Sequence, residues 1–181
     1  MADEGDILTD LNMDPAAGSN GADNQPVAGI ISQYVKDLSV ENPNAPACFQ
    51  WQSTPSIDLQ FNIAAEPVSD EVHEVELKIK VTAKADEGDL YLVELAYCGL
   101  IGMRNLPDEH GHAFLYAEAP RILFPFARRV IADATRDLGF QPLMVDPIDF
   151  NGLYLQQLQR KAEEDAAAAA QGNVPPPEGQ A

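Results

Sequence analysis

The residues best suited to chemistry stand together at Asp108-Glu109-His110-Gly111-His112, where two carboxylates precede two imidazoles within five positions. Such groups ligate metals and carry protons. Their spacing differs from the zinc helix, in which two histidines one turn apart share a face. His110 and His112 flank a glycine, and His73 is remote in sequence, so the segment reads as a solvated polar loop. A metal-dependent enzyme built on Asp108–His112 is the disfavoured alternative. Cys48 and Cys98 are the only cysteines, too few for a disulfide framework or, without histidine help, for a zinc site. Cys98 lies between Tyr97 and Gly99 in strand-like sequence with no adjacent base, so a buried, inert thiol is expected. The chain has neither a phosphate-binding glycine loop followed by Lys-Ser/Thr nor a G-x-S-x-G elbow.

Recognition chemistry is better represented. Phe49 and Trp51, the single tryptophan, lie in the proline-rich segment 42–55 (NPNAPACFQWQSTP). Pro43, Pro46 and Pro55 keep this segment out of a central strand or a helix interior. A long connection with two large aromatics can be stapled to a sheet or can present a binding surface, and both readings stand.

The elements that position these residues follow from periodicity. Ile57, Leu59, Phe61 and Ile63 alternate with polar residues, as do Val75, Leu77, Ile79 and Val81, so two amphipathic strands are expected. Ile79 and Leu95 are assigned wholly to the core. Asp86-Glu87-Gly88-Asp89 turns the second of these strands into a hairpin with Leu90–Ile101, where Tyr91, Val93, Leu95 and Tyr97 share a face. Ile30–Val40 is a less regular strand, with Ile30, Tyr34, Leu38 and Val40 expected on one side and Asp37, Ser39 and Glu41 on the other. A first helix is expected from Pro120 to Gly139 on an Ile122, Phe126, Val130 and Ala134 stripe. A second starts after an Asp149 cap, with Phe150, Leu153, Tyr154 and Leu158 as its stripe. The fold class is α+β: a four-stranded antiparallel sheet, a proline-rich crossover loop and two C-terminal helices. Two helices cover two sheet faces poorly, which points to an oligomer.

Of 29 acidic residues in the 181-residue chain, ten fall in the ends 1–25 and 163–181, which contain no Lys or Arg. Their few branched and aromatic residues do not offset the entropy of ordering, so the folded domain is expected at 26–162 between two disordered tails. A net charge of -18 excludes the basic footprint of nucleic-acid binding and favours basic partners. The beginning MADEGDILTD has no basic or apolar leader character, and a reduced, cytoplasmic protein is expected.

Three segments resemble the SecB family of export chaperones: KDLSVENPNAP at 36–46, VHEVELKIKVTAKA at 72–85, and APRILFPFARRVIADATRDLGFQPLMVDPIDFNGLYLQQLQ at 119–159. The likeness covers roughly residues 30–160 in order. It implies the fold already inferred, assembled as a dimer of dimers, and an ATP-independent holdase that keeps unfolded secretory precursors competent for export. A general or toxin-antitoxin-linked SecB-like chaperone is the nearer alternative. The resemblance further implies that an acidic sheet face, at Asp37, Glu41, Leu92 and Glu94, docks the SecA motor. It implies that clients lie in apolar grooves near Phe49, Trp51, Leu59, Phe61, Tyr91, Phe150, Leu153 and Tyr154. Zinc would belong to the tail of SecA, so no cofactor or metal ligand is implied in this chain.

Overall fold

The alternation in Val72–Ala85 decides the architecture. In the computed structural model, which describes residues 25–171, Val75, Leu77, Ile79, Val81 and Ala83 are buried, while Lys78, Lys80 and Lys84 are exposed. This strand is β3. It pairs antiparallel with β2 (Ser56–Ser69) on one side and β4 (Gly88–Arg104) on the other, and β1 (Val27–Glu41) completes the order β1-β4-β3-β2. The four-stranded antiparallel sheet and its helices agree with the expected α+β class. Strands β2 to β4 extend beyond their expected ends, to Ser69, Ala85 and Arg104.

Residues directly opposite in an antiparallel ladder share a face. Register therefore assigns Ile57, Leu59, Phe61 and Ile63 to the same side as Ala83, Val81, Ile79 and Leu77. Tyr91, Val93, Leu95 and Tyr97 join them through β4. This is the inner face, covered by helix.

β1 departs from the expected pattern. Register shifts between Ile30 and Ser32 and between Val35 and Asp37 each reverse the alternation. Tyr34, opposite Cys98, consequently lies on the outer face, while Ile30, Leu38 and Val40 stay on the inner one. The two bulges cancel over the strand, which is why only the residues between them were misplaced.

β1 and β2 are the two edges, so residues 42–55 must cross the sheet. They pass the β3–β4 hairpin: Asn44 Nδ2 donates to the Asp89 carbonyl at 2.9 Å, and the Ser53 hydroxyl donates to Glu87 at 2.5 Å. A 3-10 turn, Ala47–Gln50, buries Cys48 within the crossover.

Residues 108–113 are helical, contrary to the expected loop. Helix α1 (Asp108–Ala113) runs through a π-helical turn, Phe114–Glu118, into α2 (Ala119–Asp137). The first helical segment thus begins at Asp108 and not near Pro120, and Pro125 lies inside α2. Asp108 and Glu109 suit a helix start through the macrodipole, a signal that the short polar segment offers without any apolar periodicity.

The buried stripe of α2 is also different from the expected one. Leu123, Phe124, Ala127, Ile131, Ala134 and Thr135 are buried, whereas Phe126 is exposed and Ile122 and Val130 are half-buried. Close approach selects this face. A methyl at Gly99 would come within 2.9 Å of Leu123 Cδ2, so the glycine of β4 receives the helix.

Gly139, at φ 91°, ends α2 as expected. The Phe140 N–H donates to the Thr135 carbonyl and Gly139 N–H to Arg136, a Schellman-type end. Helix α3 (Phe150–Gln171) begins with Asp149 Oδ1 accepting the Gly152 N–H at 2.9 Å. It runs past the expected domain end at 162, as its alanines favour, but residues 159–167 are exposed. Of the expected tails 1–25 and 163–181, residues 163–171 continue α3, and residues 1–24 and 172–181 lie outside the described residues.

Candidate functional site

Two surfaces emerge, one on each face of the sheet. On the inner side, β2 is an edge strand that the helices cover only in part: Ile57 is 48% and Phe61 36% exposed. α3 starts beside it. Phe150 is buried edge-on between Phe61 and Phe124, with ring centroids 5.8 and 5.5 Å apart. Phe61, Ile63, Tyr116, Phe150, Leu153 and Tyr154 line a cleft of about 230 Å³, with Asn62, Gln157 and Arg160 as its polar lining.

The crossover forms a second aromatic group. Phe49 lies against Phe140 at 5.4 Å, and Phe140 against Tyr91 at 5.1 Å. Trp51 closes on Gly88, where a Cβ would meet its ring at 3.3 Å. The stapling role is therefore visible, yet Phe49 remains 51% exposed.

The eight expected client residues divide by access. Phe49, Phe61 and Leu153 are exposed, and Trp51, Leu59 and Tyr154 are half-buried. Tyr91 and Phe150 are 5% and 2% exposed, so they floor and anchor the aromatic groups. Burial raises the Tyr91 hydroxyl pKa above its usual range. Sequence reasoning missed Phe140 and Tyr116. Phe140 follows the helix-ending Gly139, where a hydrophobic contact commonly accompanies the cap, and that signal could have found it.

His112 belongs to this region rather than to a metal cluster. Its Nδ1 is 2.8 Å from the Tyr154 hydroxyl, and its ring lies 4.6 Å from that of Tyr116. Among the described residues, no three His, Cys, Asp or Glu side chains converge as metal ligands.

The outer face is polar. Register puts Asp37 opposite Ala96, Ser39 opposite Glu94 and Glu41 opposite Leu92, so Asp37, Glu41, Leu92 and Glu94 share one face. Lys80 stands across from Glu94 and binds its Oε1 at 2.6 Å. That hydrogen bond raises the Lys80 pKa and lowers that of Glu94. Further along, Lys36 meets Glu74 at 2.6 Å and Glu76 at 3.6 Å, and the Tyr34 hydroxyl donates to Glu74. Among the described residues Asp37 and Glu41 make no ion pair.

Cys98 lies on this outer face, sealed by its neighbours. Burial, followed by the Glu74 and Glu76 charges, pushes its thiol up to about 11. The expectation of a buried thiol is met, and its thiolate is suppressed at neutral pH.

Residues 21–161 match the family described as preprotein translocase subunit SecB. A protein-export protein SecB from Erythrobacter litoralis is 74% identical, covering 92% of this chain and 93% of that protein. Its counterpart from Novosphingobium aromaticivorans is 60% identical over 94% of this chain and 99% of its own length. Among solved structures, a SecB-like chaperone of Mycobacterium tuberculosis in complex with an antitoxin peptide shares the fold, with a TM-score of 0.57. It is 16% identical and covers 67% of this chain and 90% of that one.

Proposed function

Because this chain belongs to the SecB family, and so to the chaperones of protein export, we propose that its two sheet faces divide the work between client and motor. Unfolded precursors lie along the inner side, on Phe49, Trp51, Leu59, Phe61, Leu153 and Tyr154, with Tyr91 and Phe150 as the supporting floor. The observation that carries this reading is the partly uncovered inner face of β2 next to an aromatic cleft. Apolar grooves with few polar contacts accept many extended segments. Folded proteins hide such segments, so selection is by conformation. Binding the unfolded state delays folding by mass action without ATP hydrolysis. Several weak segments on one particle raise avidity.

The outer face docks SecA through Asp37, Glu41, Leu92 and Glu94. Support comes from their common side of the sheet and from Asp37 and Glu41, which make no ion pair among the described residues. An acidic chain steers a basic segment to this face, and steering weakens as salt rises. The setting is the cytoplasm. The likeness to export proteins at 74% identity favours this role over a toxin-linked one, since the SecB-like chaperone bound to an antitoxin peptide is 16% identical and shares the fold alone.

Assembly as a dimer of dimers fits the remaining apolar surface. β1 is an open edge with Ile31, Val35 and Leu38 exposed, and α2 presents Phe126 away from the buried stripe. Light scattering after gel filtration should give four chains per particle.

A double dissociation tests the division of faces. Asp37→Lys with Glu94→Lys should weaken SecA binding in titration calorimetry and leave precursor holding intact. Phe61→Asp with Leu153→Asp should do the reverse. If both pairs impair both activities equally, or neither does, the two-face reading is wrong.

A further inference from the structure

The acids of the outer face are not equally available. Asp37 and Glu41 have no ion pair among the described residues, whereas Glu94 is already occupied by Lys80. The two residues are direct cross-strand partners on β4 and β3, and Lys80 Nζ lies 2.6 Å from Glu94 Oε1. Glu41, from β1, adds attraction to the same ammonium. Lys78 also faces Glu94 from one side-chain position along β3, but it makes no ion pair among the described residues.

Taking the outer face as the docking surface, we propose that Lys80 is an internal competitor, occupying Glu94 until a basic segment of the partner displaces it. Docking at Glu94 is then an exchange of one cation for another, and only Asp37 and Glu41 gain a new counter-charge. The exchange also discriminates between cations. Lys80 offers a single ammonium contact, while an incoming guanidinium can span both carboxylate oxygens in a fork. An arginine-bearing segment therefore replaces Lys80 more readily than a lysine-bearing one. The plain structural alternative is a cross-strand pair that only helps hold β3 to β4. Both side chains are substantially exposed and the buried inner face already holds these strands, so the pair contributes little to the fold.

Calorimetric titration of purified SecA into the intact assembled protein tests this with Lys80→Gln against Lys78→Gln. Each removes one positive charge from the same face of the same strand, so the general change in field is matched. Lys80→Gln should bind about two- to fivefold more tightly than Lys78→Gln at low salt, with the gap closing as salt rises. In a Glu94→Gln background the two lysine variants should become equivalent. Equal affinities of the two single variants would overturn the competitor role. Asp37→Asn lies outside the pair and reports on the docking surface itself. If it weakens binding while the lysine variants match, the docking reading survives and only the competitor is lost. If Asp37→Asn and Glu94→Gln both leave binding unchanged, the docking reading fails and Lys80 has nothing to compete for.

Discussion

Replacing Phe150 with alanine should detach α3 while leaving the sheet folded. Phe150 is 2% exposed and is the one fully buried side chain of this helix among the described residues. Its loss removes two edge-on ring contacts and leaves a cavity against Phe61 and Phe124. Phe→Ala changes in cores cost about 3–5 kcal/mol, and each aromatic pair contributes about 0.5–1.5 kcal/mol of that kind of energy. Phe150→Leu keeps most of the buried area and loses both pairs, so it should cost about 1–3 kcal/mol. A further side-chain tie of α3 to the body is the His112–Tyr154 pair, a hydrogen bond of 2.8 Å with ring centroids 5.5 Å apart and Tyr154 half-buried. The cost therefore falls on docking of the helix and not on global unfolding. Hydrogen exchange read by mass spectrometry should show residues 150–167 exchanging about two orders of magnitude faster in Phe150→Ala, or reaching the unprotected limit. Val75–Val81 should keep wild-type protection, and Phe150→Leu should fall between. Unchanged exchange in α3 would refute the anchor, and an equal loss in β3 would refute its local character.

Gly99→Val should destabilise the fold by about 1–3 kcal/mol in urea melts, since its first carbon already meets Leu123 at 2.9 Å. Thr135→Val should cost about 1–2 kcal/mol, because the buried hydroxyl accepts the Leu143 N–H at 2.9 Å and donates to the carbonyls of α2. Cys98 should react slowly with maleimide at pH 8 in the native state and at the ordinary rate in urea. Its folded pKa is raised, so any stability it contributes is complete below the ordinary thiol pKa and lost as pH rises toward about 11. Glu74 has the opposite sign: the Lys36 and Tyr34 hydrogen bonds lower its pKa. Its contribution is present above the ordinary carboxylate range and lost as pH falls through the lowered value, so Glu74→Gln should flatten the acid limb of stability against pH.

How much of this could be read beforehand varied with the local physics. β3 was legible because one of its faces is fully buried, which forces strict alternation. β1 was not, because its two bulges reverse the alternation without leaving a residue-type signature, and Tyr34 moved to the other face. α2 has apolar residues on two sides, and the choice between them lies in Gly99 on another element. Helix α1 contains Gly111 and two histidines and has no apolar period, so a loop was the natural expectation. Asp149 and Gly139 marked their helix ends correctly, since caps depend on local chemistry. Of the site, the shared face of Asp37, Glu41, Leu92 and Glu94 follows from register. The Lys80 contact needed the pairing of β3 with β4, which composition alone does not supply.

The central claim is capture of unfolded chains by binding alone. Refolding of a slow-folding secretory precursor, followed with and without this protein in the absence of ATP, tests it most directly. Refolding should be delayed in proportion to added protein, saturating near one assembled particle per precursor. Refolding at the unassisted rate with the protein in excess would contradict the account.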